Sequence, residues 1–142
     1  MAHTITRSRQ GCLATYAGHV TFEEFLRVVQ AIQAHDNYDA IHHVLHDLSA
    51  VTALDLSQVN LGAFMSHELG ARYTNPKICT AVVSLDTAMQ AMIQVCNART
   101  HLRIGLFSSV PQALDWLQLH SVCADAGMFE KYITNRLPVQ YL

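Results

Sequence analysis

Asp47, Asp55 and Ser57 stand close together in the stretch Asp47-Leu48-Ser49-Ala50-Val51-Thr52-Ala53-Leu54-Asp55-Leu56-Ser57-Gln58. Read locally, Asp55 and Gln58 have capping-box spacing, which starts a helix at Asp55 and puts Ser57 in its first turn. The free amides and the positive dipole end of such a helix favour a phosphate. Phosphorylation of Ser57 would add about two negative charges beside Asp55 and Asp47, enough to repel an acidic partner. Ser57 is therefore a candidate phosphoacceptor; the plainer reading makes it an ordinary first-turn polar residue.

The same segment belongs to a wider constellation. In open parallel sheets, ligands sit beyond the carboxyl ends of the strands. Those ends lead here into Asp47, Ser49, Thr52 and Asp55, then Ser84 and Asp86, then Ser108 and Ser109. Three polar turns on one edge would make a shallow binding turn for a small anionic or lipid-like ligand. Serine and aspartate are also what helix caps require, so capping alone explains many of them.

Other chemistry finds less support. His42, His43 and His46 share one strand; alternation puts His42 and His46 on one face, ~13 Å apart along the backbone, too far for easy joint metal ligation. Packed histidines are the simpler reading. Protonating all nine would move the net charge from −2 to +7, so association is expected to vary with pH. The four cysteines form no C-x-x-C pair, and buried free thiols account for them. No nucleophile elbow, phosphate-binding loop or dinucleotide-binding glycine pattern is present. No catalytic residue, metal or cofactor is expected, and the chain reads as a non-enzyme.

The elements that must position these residues follow from periodicity and caps. The stretches 3–9 and 12–17 read as two strands of a hairpin broken at Gln10-Gly11, the second ended by Gly18-His19. Thr21 with Glu24 is a capping box for a helix carrying Phe22, Phe25, Val28, Val29 and Ile32. A strand over 41–48 precedes the turn at 47–53, and the helix behind Asp55 is closed by Gly70. A nearly continuous apolar strand over 78–85 follows, as when both faces are covered. Asp86 or Thr87 caps the next helix. After a short strand over 102–107, Ser109, Pro111 and Gln112 open the last one.

Alternating strands and helices give an α/β domain with a mostly parallel sheet and one antiparallel member from the hairpin. The expected architecture is a central mixed sheet of about five strands flanked by about four to five helices, over residues 1–118. From 119 to 142 the pattern fails, yet the tail is rich in apolar residues, so it is expected to pack on the domain or on a second subunit. At 142 residues a single core suffices. Hydrophobic residues at 51% and charged residues at 14% exclude a disordered chain and suggest that another copy or a ligand covers some surface. The scattered Lys and Arg give no basic stripe for nucleic acid. No apolar run reaches the ~18 residues of a membrane span. The N-terminus lacks a signal-peptide pattern, and a cytoplasmic location is expected.

With element order and motifs in hand, a resemblance emerges. The segment Asp47 to Ser57 is similar to the part of bacterial anti-sigma-factor antagonists, the STAS superfamily, where D-L-S-x-V leads to D-S-S-G. Ala113-Leu114-Asp115-Trp116-Leu117 resembles the A-L-x-W-L run of stand-alone SpoIIAA-like proteins. The resemblance spans roughly residues 5–117. It implies the STAS fold and a regulatory or protein-interaction role. It places Ser57 at the phosphorylated serine and matches Asp55 and Asp47 to two family aspartates. Leu56 and Gln58 stand where the family has serine and glycine, so the phosphoacceptor turn is degenerate. Implied partners are a kinase or anti-sigma-type protein and a second copy in a homodimer; the alternative is a carrier or sensor of a small anionic or lipid-like ligand.

Overall fold

Gly11 and Thr21 bracket the strand on which the sheet is built. A computed structural model describes residues 2–121. The strands are β1 (Ala2–Arg7), β2 (Gly11–Thr21), β3 (His43–Asp55), β4 (Cys79–Val83) and β5 (Gly105–Phe107). The helices are α1 (Phe22–Ala34), α2 (Leu61–Thr74), α3 (Thr87–Arg99) and α4 (Val110–His120), with a short 3-10 turn at Tyr38–Ala40. The sheet order is β1-β2-β3-β4-β5; β1 runs antiparallel to β2 and every other pair is parallel. This is the mixed, mostly parallel five-stranded sheet that alternation implied.

Sequential parallel strands need crossovers of one hand, which leaves the connecting helices on one face. Phe25, Val28, Val29 and Ile32 of α1, Phe64 of α2 and Met89, Ile93 and Cys96 of α3 are buried together there against Val44, Leu48 and Val82. After β5 the chain returns across the other face. There Ala113, Leu114 and Leu117 of α4 cover Leu13, Leu45, Ala81 and Val83. Period-two alternation along β3 and β4 thus feeds two cores. The capping box of α1 is complete: the Glu24 amide donates to the Thr21 hydroxyl (3.2 Å), and the Thr21 amide donates to the Glu24 carboxylate (2.9 Å). Asn75 at the end of α2 donates from Nδ2 to the carbonyls of Tyr38 (2.8 Å) and Ile41 (2.7 Å), tying α2 to the entry of β3.

Two boundaries differ from the local reading, and one cause explains both. β2 does not stop at Gly18-His19. Gly18 takes a positive φ of 78° yet stays paired with Val51; the register shift between Gly18 and His19 is taken up by Thr52, an extra residue on β3, and β2 runs on to Thr21. β3 runs with it: Ala50 lies opposite Ala17, Leu54 opposite Val20 and Asp55 opposite Thr21. The expected turn at 47–53 is therefore strand, and α2 begins at Leu61 rather than at Asp55. Asn60 is its cap, accepting from the Ala63 amide at 2.9 Å. Gly70 lies inside α2. The strands expected over 78–85 and 102–107 shorten to β4 and β5. Of the expected extension 119–142, its first two residues belong to α4; residues 122–142 lie outside the described residues.

The start of β2 is fitted to its neighbour. A Cβ at Gly11 would stand 2.0 Å from His43 Nε2, with the fully buried imidazole filling the space. Gly11→Ala is expected to lower stability by about 1–3 kcal/mol through overpacking, seen as a lower midpoint in urea with an unchanged slope.

Candidate functional site

Beyond Asp47 and Val83, which are the last pair of their ladder, β3 and β4 part company. β3 continues, while the segment after β4 turns through Ser84-Leu85 into the cap of α3. Between them lies a cleft of about 230 Å³. Leu48, Ser49, Val51, Thr52 and Leu54 form the β3 wall, and Ser84, Leu85 and Asp86 the facing one.

The facing wall is held by a set of local bonds. Asp86 Oδ1 accepts from the Met89 amide at 2.9 Å and caps α3. The Asp86 amide donates to the Ser84 hydroxyl (3.1 Å), the Ser84 amide donates to the Phe107 carbonyl (3.0 Å), and Gln90 Nε2 donates to the Ser84 carbonyl (3.0 Å). Held this way, Leu85 projects its side chain outward and is 72% exposed. Local order did not single out Leu85, but a signal for it was present. It precedes a helix cap, where an apolar residue packs on the fourth helical position. That position is Gln90, so Leu85 has no apolar partner on its own helix.

On the β3 wall, Asp47 is buried at the base. Its Oδ1 accepts from both the Ser49 amide (2.9 Å) and the Ser49 hydroxyl (2.6 Å), fixing Ser49 at the cleft. Of the turn residues named from sequence, the fold brings Ser49, Thr52, Ser84 and Asp86 into one lining, with Asp47 beneath them. Asp55 lies past the lining at the end of β3. Ser57 is exposed in the β3–α2 connection, upstream of the Asn60 cap and outside any helical turn. The Ser57 amide donates to Asp55 Oδ1 at 2.9 Å, and bonds from the Ser57 side chain and amide hold the Asp55 carboxyl below its ordinary range. His19, across the ladder, acts in the same direction. Ser108 and Ser109 follow β5 outside the cleft lining; Ser109 caps α4 through the Gln112 amide at 3.4 Å.

No model of a known protein family matches the chain, and no curated protein matches it significantly by sequence. Solved structures do match. The unphosphorylated anti-sigma factor antagonist SpoIIAA aligns over 82% of this chain and 98% of its own, with a TM-score of 0.54 and 11% identity. The phosphorylated form of SpoIIAA, the Bacillus cell fate determinant, gives 0.51 at 12% identity over 82% and 99% of the two chains. An anti-sigma factor antagonist from Mycobacterium paratuberculosis gives 0.51 at 14% identity over 82% and 93%. The chain has the SpoIIAA-like, or STAS, fold. At these identities the likeness is one of architecture.

Apart from the cleft, the core under α1 and α2 holds a second polar group. His46 Nδ1 and the Tyr16 hydroxyl are 2.9 Å apart, and the edge of His46 meets Phe25. Glu68, 5% exposed, accepts from Gln33 Nε2 at 3.2 Å. Glu68, His46, Thr80 and Tyr38 surround a void of about 10 Å³, room for a water at most. A space of this size holds no substrate, and the arrangement is core packing. Burial lifts the Glu68 carboxyl from 4.5 to about 7, partly opposed by Arg72. Burial likewise lowers His46 from 6.5 to about 4, and burial with some help from His42 lowers His43 to about 4. Cys12 and Cys96 are pushed up to about 11, mainly by burial, which makes them inert thiols. Among the described residues no group of His, Cys, Asp and Glu is arranged to hold a metal ion, and no helix is long and apolar enough to cross a membrane.

Folded Glu68 keeps its proton between pH 4.5 and about 7 where the unfolded chain loses it, so its contribution falls as pH rises through that window. The two histidines act oppositely, adding stability as pH rises from about 4 to 6.5. Thermal stability is therefore expected to peak near pH 6.5. Glu68→Gln should stabilise the chain by about 1–3 kcal/mol at pH 8 and by far less at pH 4.5, as a pair of calorimetric scans will show. Separately, Asp47→Ala strips the Ser49 amide of its acceptor. It should cost about 1–3 kcal/mol and raise the exchange rate of that amide.

Proposed function

We propose that this chain is a non-enzymatic regulatory module that binds another protein at the face formed by the β3–β4 cleft and the β3–α2 connection. The observation that carries this reading is Leu85, a large apolar side chain held out into solvent at the mouth of a polar-rimmed cleft. The bonds of Ser84, Asp86 and Gln90 fix the backbone on both sides of Leu85, so a partner seated on the cleft would take its apolar surface out of water. The fold neighbours add support, since they are described as anti-sigma factor antagonists. A partner of kinase or anti-sigma type fits that description.

Ser57 is the candidate phosphoacceptor within this reading. One neighbour is described in phosphorylated form, and Ser57 here is exposed just past the β3 wall. A phosphate on Ser57 would stand beside Asp55 and ahead of the α2 cap, so it would act through added negative charge, repelling an acidic partner and attracting a basic one. The cleft itself carries the Asp86 carboxylate and no Lys, Arg or His among its lining. That charge disfavours a small anionic ligand and favours the interaction reading over the carrier reading.

The test is a photo-reactive residue placed at position 85 in the native host. A discrete protein adduct is expected there and not from the same group at the exposed Asp36. Intact mass of the purified chain completes it: a phosphoryl group mapped to Ser57 and absent from Ser57→Ala supports the switch. A small molecule carried in the native state and lost on denaturing, with no adduct at position 85, overturns the reading in favour of a carrier.

A further inference from the structure

The unequal lengths of β3 and β4 leave a lane in the sheet. β4 pairs with β3 only from His43 opposite Cys79 to Asp47 opposite Val83. β3 continues to Asp55 with β2 on its other side. Ser49 is served by Asp47, as described above. From Ala50 to Asp55, no strand, cap or loop backbone bonds to the edge that faces the cleft, among the described residues.

An open edge of this kind is usually blocked by proline, by lysine, by an inward charge or by a bulge. Ala50-Val51-Thr52-Ala53-Leu54 has no proline and no charge and is rich in strand-forming residues; it carries one bulge, at Thr52, where the register with β2 shifts. What an unpaired strand edge recognises is another extended backbone, which takes the bonds at alternate residues and sends alternate side chains to the adjoining surface. Here that surface is the cleft, with Leu48 and Leu85 on its walls.

The charge of the site selects the occupant. Asp86 lines the cleft, Asp55 ends the open edge, and the lining has no cationic side chain. A second copy would set the same carboxylates against each other and carries the same net charge of −2. We propose that the partner enters as an extended, positively charged segment that joins the sheet as a strand along the Ala50–Asp55 edge of β3, in the lane that β4 vacates. This rests on the reading of the cleft as a docking face and adds how the partner is held. It also sets the sense of the switch: a phosphate at Ser57 tightens the binding of such a segment.

The experiment is amide exchange and chemical-shift titration by NMR on the full chain with three seven-residue peptides. One alternates lysine with valine, one alternates glutamate with valine, and one is the lysine peptide N-methylated at alternate amides. The free chain should show fast exchange at the outward amides of the 50–55 edge. The lysine peptide should slow them and shift Leu85. The glutamate peptide should do neither. N-methylation should weaken binding by about tenfold or more, and Ser57→Asp should strengthen it severalfold. If the N-methylated peptide binds as well as its parent, strand addition is wrong while cleft docking stands. If the glutamate peptide binds equally, the charge assignment is wrong. Slow exchange at this edge in the free monomer would mean that the chain covers it itself, and protection that grows with protein concentration would mean a second copy; either overturns the proposal. So does the absence of any shift with the lysine peptide, in which case the adduct at position 85 decides independently whether the cleft is a docking face.

Discussion

The parallel ladder between β2 and β3 runs from Gly11 opposite His43 to Thr21 opposite Asp55, and it outlasts every other pairing in the sheet. Its inner part lies between two helical layers. Its outer part, beyond Ala17 and Asp47, has lost β1 on one side and β4 on the other, and it persists because the two strands satisfy each other's backbone. Two bulges, each adding one residue to β3 (the second at Thr52), adjust the register of this ribbon without breaking it. The cleft, the position of Ser57 and the late start of α2 all depend on that extra length.

A cleft made this way differs from a cavity carved into a core. One wall is strand and the other is a turn fixed by the cap of α3, so its shape is set by backbone bonds more than by side-chain packing. That gives Leu85 a defined outward position despite its exposure. It also means that the polar residues of the site already have work within the chain: Asp47 holds Ser49, Asp86 holds Met89, and Ser84 holds Asp86. Beyond these bonds the cleft presents the Thr52 hydroxyl, apolar surface of Leu48, Leu54 and Leu85, and the negative charge of Asp86.

The abundant histidines have a plainer explanation. His43 and His46 are buried on opposite sides of β3, one against Gly11 and one against Tyr16 and Phe25, and burial keeps both neutral. A histidine in a sheet core supplies an aromatic body with a polar tip, and at His46 that tip meets a tyrosine hydroxyl. The pH response of the domain then reflects the balance of these two groups against Glu68, three buried titratable side chains with opposing signs.

The residues alone determined the class of fold, because period-two runs alternating with 3.6-residue runs leave few other topologies. They determined the caps at Thr21 and Ser109 and narrowed a third to Asp86 or Thr87, because a cap is a bond between neighbours in sequence. The A-L-x-W-L run and the segment around Asp47 were enough to suggest the SpoIIAA-like architecture. At Asp55 the same local logic failed. Asp55 and Gln58 satisfy the spacing of a capping box, yet the pairing of Leu54 and Asp55 with β2 holds the chain extended, and Asn60 takes the cap instead. Tertiary pairing decided this, since a ladder between residues far apart in sequence outweighs a preference worth about 1 kcal/mol. It also decided which polar turns meet: Ser49, Thr52, Ser84 and Asp86 share a cleft because β3 and β4 are neighbours, while Ser108 and Ser109 fall outside it one strand further along. Adjacency in a sheet is a property of strand order and length, and neither is written in any single stretch of the chain.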